Sequence, residues 1–305
     1  MNVVPTGTID GATEWVALLG YPVKHSFSPA MHNAAFSHLA MNWRYGAFAV
    51  PPEKLGEAIR GLAALGFRGA NVTVPHKEAV MEHLDAIDPV AQRLGAVNTI
   101  VFTEEGKRIG YNTDGIGFMR GLAEEGVTVT GKSAVVLGAG GAARAVIFAL
   151  VDAGLRRLTV VNRSTEKAEA LLNVVEASIG NISGGGVPSQ SIDFNVCPWE
   201  AEELQRHLKE ADLLINATSL GMVKGGRIEP YSITIEKWLT GSPFIADLVY
   251  NPVDTILLKA GRERGLQGQN GLPMLLYQGV RAFELWTGRE APAEVMQQVL
   301  KAKMT

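Results

Sequence analysis

The 305-residue sequence contains a single cysteine, Cys197. One thiol excludes an intrachain disulfide bond and any zinc site built from several thiolates. The net charge of −3 and the lack of a basic cluster argue against a nucleic-acid-binding surface. No apolar run approaches the roughly 20 residues of a membrane-spanning helix, and the N-terminus lacks the features of a signal peptide. These absences predict a cytoplasmic protein with no metal centre, no membrane segment and no nucleic-acid partner.

The composition is typical of an α/β protein with a hydrophobic core. Hydrophobic residues make up 47% of the chain and charged residues 19%, and the length leaves room for two domains. Alternating apolar and helical patterns predict β-α-β-α layers. The predicted strands are residues 15–19, 43–50, 69–73, 95–102, 133–137, 158–162, 213–216, 244–252 and 266–268. Residues 77–95 are predicted to be helical with a break at Asp88-Pro89, residues 1–13 to be a leader and residues 181–191 to be a flexible surface loop.

A stretch near the middle of the chain carries a nucleotide-binding pattern. Residues 133–137 run into Gly138-Ala-Gly-Gly-Ala-Ala143, and an alanine-rich helical pattern follows. In this strand–turn–helix context Gly138 permits a tight turn, and Gly140 lets a pyrophosphate approach the backbone. The helix N-terminus favours the phosphate charge. Ordinary βα turns also contain glycine, but the strand and the helix together favour a bound dinucleotide.

The next predicted strand indicates which dinucleotide binds. It ends at Asn162, where an NAD-preferring site usually has Asp or Glu for the ribose hydroxyl. Arg163 can pair with a 2′-phosphate, and the residues after it add donors. These donors are Ser164, Thr165 and Lys167. Alternatively, a hydroxyl residue only caps the next helix while Arg163 is solvated. The two interpretations are compatible, and the sequence favours NADP.

Polar residues also follow two strands near the start of the chain. Ser26 and Ser28 come after the first strand, and Asn71, Thr73 and Lys77 lie in or after the third. Sheets of this type bind ligands outside the carboxyl ends of their strands, and the paired hydroxyls suit a polyhydroxylated ligand. Ser28 with the proline after it also suits an N-cap at the start of a helix.

Eight separate motifs occur in order along the chain. They are His25-Ser-Phe-Ser-Pro29, Asn71-Val-Thr-Val-Pro-His-Lys77, Gly95-Ala-Val-Asn-Thr99, Asn112-Thr-Asp-Gly115, Gly138-Ala-Gly-Gly-Ala142, Asn216-Ala-Thr-Ser219, Asp247-Leu-Val-Tyr-Asn-Pro252 and Gly271-Leu-Pro-Met-Leu275 with Gln278. In order and spacing they resemble the shikimate dehydrogenase family from Gly20 to Gln278. The resemblance implies NADPH-dependent reduction of 3-dehydroshikimate to shikimate on the pathway to chorismate and the aromatic amino acids.

The resemblance also implies a two-domain α/β organisation. Residues 1–114, completed by C-terminal helices in 271–305, would form the substrate-binding catalytic domain. Residues 115–270 would form a Rossmann-type, doubly wound NADP-binding domain. A small-molecule substrate and a monomer or homodimer are expected.

Individual site residues follow from the same resemblance. Ser26 and Ser28 match ligands of the shikimate carboxylate, and Lys77 and Asp114 match the catalytic pair, which also contacts the substrate. Further substrate contacts are implied at Asn71, Thr73, Asn98, Tyr250 and Gln278. Cofactor contacts are implied at Gly138, Ala139, Gly140, Gly141, Ala142, Asn162, Arg163, Ser164, Thr165, Lys167, Thr218, Leu248, Gly271 and Met274.

The chemistry of ketone reduction limits the candidates for a proton donor. Hydride addition leaves an alkoxide, so a general acid must lie within hydrogen-bond reach. No tyrosine is followed by lysine in the Tyr-x-x-x-Lys spacing of short-chain dehydrogenases. Lys77 or a histidine therefore remains, and His25 and His76 are the histidines that adjoin the motifs. A carboxylate such as Asp114 beside Lys77 would orient the ammonium.

Two other functions are compatible with much of this pattern. A quinate/shikimate dehydrogenase that uses NAD would share the motifs, but Asn162-Arg163-Ser164 argues against it because that type tends to carry an acidic residue there. A non-catalytic NADP-binding regulator on the same fold is the other alternative. The full set of polar site residues disfavours it.

Overall fold

The computed structural model describes residues 9–179, 192–224 and 226–303. The predicted loop 181–191 and residues 1–8 of the predicted leader lie outside these ranges. The chain divides into two compact units, one formed by the chain up to Gly117 and from Leu276 onward, and one from Phe118 to Leu275. The sequence puts the domain boundaries at 114/115 and 270/271, and the assignment of a ligand to each domain stays a prediction.

Strands and helices alternate through most of the described chain. The strands are β1 (Glu14–Gly20), β2 (Trp43–Ala49), β3 (Gly69–Val72), β4 (Ala86–Ile87), β5 (Thr99–Phe102), β6 (Arg108–Tyr111), β7 (Ser133–Leu137), β8 (Arg157–Asn162), β9 (Asp193–Pro198), β10 (Leu213–Asn216), β11 (Val223–Lys224), β12 (Arg227–Ile228), β13 (Phe244–Asp247) and β14 (Gly268–Gln269). The α-helices are α1 (Ser28–His38), α2 (Leu55–Ala64), α3 (Pro89–Leu94), α4 (Asp114–Glu124), α5 (Gly141–Asp152), α6 (Thr165–Ile179), α7 (Ala201–Lys209), α8 (Ile235–Trp238), α9 (Ile256–Glu263), α10 (Leu272–Thr287) and α11 (Ala293–Ala302).

The first unit is built on a mixed six-stranded sheet in the order β2-β1-β3-β5-β6-β4. β1 pairs in parallel with β2 and β3, whereas β5 pairs antiparallel with β3 and β6. Leu19 of β1, Val72 of β3 and Ile59 of α2 are buried in one hydrophobic cluster. Leu19 lies opposite Val72 in the register, so the loops after β1 and β3 leave the sheet side by side.

The second unit is built on a six-stranded sheet in the order β14-β13-β10-β7-β8-β9, and every pair in it is parallel. All five residues of β7 are buried, as expected for a parallel strand covered on both faces. Leu137, Asn216 and Asp247 are neighbours in the register of β7, β10 and β13. The polar loops after these strands therefore begin at one edge of the sheet. The predicted α/β fold class is confirmed.

The predicted helix over residues 77–95 is wrong in its first half. Ala79–His83 form a 3-10 turn, β4 pairs with β6, and only α3 is α-helical. The Asp85 carboxylate accepts hydrogen bonds from the backbone and the side chain of Arg108, both at 2.8 Å. These tertiary bonds hold β4 beside β6 and outweigh the local helix propensity. β9, β11 and β12 were not predicted from the sequence, and β5 and β13 are shorter than predicted.

Candidate active site

Lys77 and Asp114 form an ion pair beside the carboxyl end of β3. Lys77 lies in the turn after this strand, and Asp114 is the first residue of α4. Lys77 Nζ lies 2.6 Å from Asp114 Oδ2. The Lys77 carbonyl accepts a hydrogen bond from the Val97 N–H at 2.8 Å, which fixes the base of the side chain. The side chains are 22% and 9% exposed respectively, so the ammonium can reach a ligand while the carboxylate is held inside.

Asn98 holds the Asp114 carboxylate from the other side. Its Nδ2 donates to Asp114 Oδ1 at 2.8 Å and to Thr113 Oγ1 at 3.0 Å. Its Oδ1 accepts from the Thr113 N–H and from the Thr99 hydroxyl, both at 2.9 Å. Both amide hydrogens of this buried side chain are thus used within the protein. Asn98 therefore orients the carboxylate that orients Lys77.

The start of α4 is fixed by two residues to which the sequence analysis gave no role. Asn112 Oδ1 accepts from the Asp114 N–H at 3.1 Å, while its Nδ2 donates to the Ala96 carbonyl. The Thr113 hydroxyl lies 3.0 Å from the carbonyl oxygen of Gln278 on α10. The polar run before an apolar helical pattern is the sequence signal that could have identified both. It is typical of a helix start whose first N–H groups need acceptors.

Ser26 and Ser28 lie where the loop after β1 enters α1. The Ser28 N–H donates to Ser26 Oγ at 3.2 Å, and Ser28 is buried while Ser26 is half-buried. The interpretation of Ser28 as an N-cap is wrong, because the helix begins at Ser28 itself and the cap position is Phe27. The Ser28 side chain instead lies near the Tyr45 hydroxyl.

The two histidines left open by the sequence differ from Lys77 in their surroundings. The His76 ring is buried, with Nε2 2.8 Å from the carbonyl oxygen of Val50. His25 is exposed. A third histidine, His32, is fully buried, and this burial lowers its pKa to about 3. Lys77 is thus the candidate donor that pairs with a held carboxylate and keeps access to a ligand.

The glycine-rich turn of the second unit joins β7 to the N-terminus of α5. Gly138 has φ +103°, which favours glycine, and its N–H donates to the Val161 carbonyl at 2.7 Å. Gly140 has φ −87° and is exposed. Among the described residues, apart from the chain neighbours and the backbone of α5 itself, no heavy atom lies within 4 Å of a Cβ built on Gly140 or on Gly141. The open space above this helix N-terminus fits a pyrophosphate group.

Replacing Gly140 with alanine should weaken NADP binding without destabilising the protein. The backbone conformation accepts alanine, so the melting temperature should stay within about 2 °C, whereas the added methyl group enters the pyrophosphate space and should raise the KM for NADP roughly tenfold. Gly138→Ala is the matched comparison, because its Cβ would lie 2.9 Å from Thr218 Cγ2 at a positive φ. That variant should unfold at a lower temperature. Unchanged NADP kinetics in Gly140→Ala would contradict the assignment of this space to the cofactor.

The residues expected at the adenosine ribose follow β8. Asn162 Nδ2 donates to the Ser164 carbonyl at 2.8 Å, and the Ser164 hydroxyl donates to Glu166 Oε2 at 2.7 Å. This hydrogen bond lowers the pKa of the Glu166 carboxyl. Arg163 and Lys167 are exposed at the start of α6. Two cations are therefore presented to solvent beside the end of β8.

Asn216 connects the loops after β10 and β13. Its Oδ1 accepts from the hydroxyl and N–H of Thr218 at 2.6 and 3.1 Å, and its Nδ2 donates to Asp247 Oδ1 at 2.8 Å. Its backbone carbonyl accepts from the Leu248 N–H. A Cβ built on Gly271 would lie 2.0 Å from the Leu248 carbonyl oxygen, so only glycine fits there. Thr218, Leu248 and Gly271, all predicted cofactor residues, are thus parts of one connected structure.

Asp247 gives this cluster a pH-dependent stability. Burial raises the pKa of its carboxyl to about 6, although hydrogen bonds from Thr255, Val249 and Asn216 oppose the shift. A raised pKa means that the protonated form stabilises the fold below about pH 4, and that this contribution is lost as the pH rises through about 6. The loss is on the order of 2–3 kcal/mol.

Asp247→Asn should therefore gain stability relative to the unmodified protein as the pH rises. The difference in melting temperature should grow between about pH 4 and pH 7 and then level off, because asparagine does not titrate. Asp85→Asn is the control of opposite sign, since hydrogen bonds from Arg108 lower the pKa of Asp85. That variant should lose stability near neutral pH and converge with the unmodified protein in acid. A difference for Asp247→Asn that does not change with pH would contradict the buried titration.

The predicted substrate-binding, catalytic and cofactor-binding residues lie in both units. In the first unit lie Ser26, Ser28, Asn71, Thr73, Lys77, Asn98, Asp114 and Gln278. In the second unit lie Gly138, Ala139, Gly140, Gly141, Ala142, Asn162, Arg163, Ser164, Thr165, Lys167, Thr218, Leu248, Tyr250, Gly271 and Met274. Tyr250 is thus a predicted substrate contact that belongs to the unit with the predicted cofactor residues. Burial raises the pKa of its hydroxyl.

Neither a metal-binding cluster nor a membrane-spanning helix is found among the described residues. Over 9–179, 192–224 and 226–303, no three His, Cys, Asp or Glu side chains are grouped so that they could hold a metal ion. In that same part of the chain, no helix has the length and apolar character needed to cross a membrane.

Three family models match the chain. The model of the shikimate dehydrogenase substrate binding domain matches residues 18–100. The shikimate/quinate 5-dehydrogenase model matches residues 121–183, and the shikimate 5′-dehydrogenase C-terminal domain model matches residues 271–301. Together they cover more than half of the sequence.

Individual proteins are similar over almost the whole chain. A shikimate dehydrogenase (NADP(+)) from Moorella thermoacetica is 50% identical, with 97% of this chain and 95% of the relative covered. A crystal structure of shikimate dehydrogenase in complex with NADP+ has a TM-score of 0.85 and 42% identity, with 98% of both chains covered. The enzyme from Thermus thermophilus, in complex with NADP(H) and shikimate, has a TM-score of 0.80 and 38% identity, with 95% of this chain and 99% of that chain covered.

Proposed function

The chain belongs to the shikimate dehydrogenase family, and we propose that it catalyses the reversible NADPH-dependent reduction of 3-dehydroshikimate to shikimate in chorismate and aromatic amino-acid biosynthesis. It is an oxidoreductase acting on a CH–OH group with NADP(H) as its cofactor. The observation that carries the proposal is the Lys77–Asp114 pair, 2.6 Å apart and still open to a ligand at Lys77.

The substrate contacts are assigned by hydrogen-bonding capacity. Ser26 and Ser28 hydroxyls donate to the shikimate carboxylate, and Thr73, Tyr250 and Gln278 bind its ring hydroxyls. Asn71 Nδ2 already donates to the Asn98 carbonyl and to Thr99 Oγ1, so Asn71 meets the substrate as an acceptor through Oδ1. Asn98 has no free amide hydrogen and acts on the substrate through Asp114.

The reaction needs a hydride and a proton, and the protein handles the proton. NADPH, when bound, supplies the hydride to the carbonyl carbon. The Lys77 ammonium donates a proton to the carbonyl oxygen as this oxygen gains negative charge. Asp114 aims the ammonium and Asn98 holds Asp114, so the donor is oriented before the substrate arrives. In the oxidative direction the neutral Lys77 amine accepts the proton of the shikimate hydroxyl.

Three groups of residues in the second unit fit three parts of the cofactor. The turn from Gly138 to Ala142 and the α5 N-terminus would hold the pyrophosphate, because the space above Gly140 and Gly141 is open. Arg163, with Lys167 and the donors around it, would hold the 2′-phosphate. Thr218, Leu248, Gly271 and Met274 would bind the nicotinamide half. We further propose a cytoplasmic enzyme that is a monomer or a homodimer.

The test is the rate of NADPH formation, followed by absorbance, with purified protein, shikimate and NADP. Quinate and NAD, in all combinations, are the controls. Fast formation with shikimate and NADP alone is expected. Comparable rates with quinate or NAD would assign the protein to the broader quinate/shikimate subfamily. NADP binding without turnover on any substrate would support the non-catalytic regulator.

A further inference from the structure

Tyr45 occupies a fixed position in β2, one of the two edge strands of the first sheet. The Asn33 side chain on α1 binds both of its backbone groups, since the Tyr45 N–H donates to Asn33 Oδ1 at 2.9 Å and Asn33 Nδ2 donates to the Tyr45 carbonyl at 3.0 Å. Ser28 stands at the start of that helix. The backbone of Tyr45 is thus tied to the element that carries Ser28.

The Tyr45 ring is also held rigidly. It is 4% exposed and stacks on the His32 ring, with centroids 4.6 Å apart and an interplanar angle of 9°. Trp286 packs at a centroid distance of 6.0 Å on another side. Because burial lowers the His32 pKa to about 3, the stacked histidine is neutral at ordinary pH. The ring therefore lies between uncharged aromatic groups. The hydroxyl is the part of the Tyr45 side chain that makes polar contacts.

The Tyr45 hydroxyl contacts Asn71, one of the proposed substrate contacts. It donates to Asn71 Oδ1 at 2.7 Å, in a fully buried hydrogen bond. A hydroxyl carries one proton, so this proton of Tyr45 is committed to Asn71. Asn71 then has its amide plane fixed from both ends, by Tyr45 at Oδ1 and by Asn98 and Thr99 at Nδ2.

We propose that Tyr45 is a positioning residue of the substrate site. Its hydroxyl sets the orientation of the Asn71 amide. The inference rests on the proposed function, in which Asn71 contacts shikimate. Tyr45 acts through Asn71, so its loss should affect shikimate binding and leave NADP binding unchanged.

The experiment compares Tyr45→Phe, Ser28→Ala and Asn71→Ala with the double variant Tyr45→Phe/Asn71→Ala. Tyr45→Phe keeps the stacked ring and should raise the KM for shikimate roughly fivefold, with little change in kcat or in the KM for NADP. In the Asn71→Ala background the same substitution should change the KM by less than about twofold, because its target is gone. Phe36→Leu is the packing control: this buried side chain of the same aromatic cluster has no polar atom. It should lower the melting temperature without changing the KM for shikimate.

The outcomes separate this inference from the proposed function. If Ser28→Ala and Asn71→Ala both leave the KM for shikimate unchanged, the proposed substrate site is wrong and the role of Tyr45 fails with it. If they raise the KM but Tyr45→Phe does not, only the role of Tyr45 is overturned. A fivefold effect of Tyr45→Phe that persists in the Asn71→Ala background, or that appears equally in Phe36→Leu, would show a structural effect instead of positioning.

Discussion

Lys77→Ala is expected to lower kcat by about 10²- to 10⁴-fold, with little change in the affinity for NADP. The variant has no ammonium to give a proton to the carbonyl oxygen, and water must replace a donor that Asp114 holds at 2.6 Å. Asp114 stays hydrogen-bonded to Asn98 at 2.8 Å, so the site should keep its shape. Steady-state kinetics in both directions and NADP titration measure the two quantities.

Lys54→Ala is the matched control for this substitution. Lys54 pairs with Glu57 in an exposed ion pair, and exposed pairs of this kind contribute little to stability. Both variants lose one lysine charge, so an effect on kcat that appears only in Lys77→Ala is local. Near-normal turnover in Lys77→Ala would remove Lys77 from the proposed mechanism and return attention to the histidines beside the motifs.

Arg163→Ala is expected to raise the KM for NADP roughly 10- to 100-fold while leaving the KM for NAD unchanged. The guanidinium is exposed at the end of β8, where a bound 2′-phosphate would gain charge-assisted hydrogen bonds. NAD lacks this phosphate, so the ratio of kcat/KM for NADP to that for NAD should fall by the same factor. The nearby Glu166 carboxylate would repel an anion, and the positive charge of Arg163 would oppose this repulsion.

Arg156→Ala separates this local effect from the change in net charge. Arg156 is exposed just before the other end of β8, where its Nε donates to the Gly131 carbonyl at 3.2 Å. That variant should keep the preference for NADP. An unchanged preference in Arg163→Ala would show that other groups, such as Lys167, select the 2′-phosphate.

The sequence predicted the structure correctly where the structure depends on short local patterns. The run of buried β-type residues followed by Gly138-Ala-Gly140 gave the strand, the turn and α5 correctly, because strand periodicity and glycine at a positive φ are local requirements. Separated motifs indicated the family and the cofactor, and the comparisons confirm both. The site residues stay predictions, although the structure brings Lys77, Asn98 and Asp114 together.

Other features could not be read from local patterns. Residues 79–87 were predicted as α-helix because their propensity is helical, but residues 79–83 form a 3-10 turn, and the bonds between Asp85 and Arg108 hold β4 beside β6. Tyr45 lies in a strand pattern in which any aromatic residue would fit. Its hydrogen bond to Asn71, 26 positions away, is visible only in the tertiary structure. The substrate contact of Asn98 stays a prediction, and only the structure shows that its amide hydrogens serve Thr113 and Asp114.

The sequence by itself thus determined the α/β class, the family and the dinucleotide, because each depends on short local motifs and on their order along the chain. Only the tertiary structure decided which polar groups are already satisfied and which remain for a ligand. That division depends on hydrogen bonds between residues far apart in the chain, such as Tyr45 with Asn71 and Lys77 with Asp114. A donor or acceptor can be assigned to a substrate only after its partners within the protein are known.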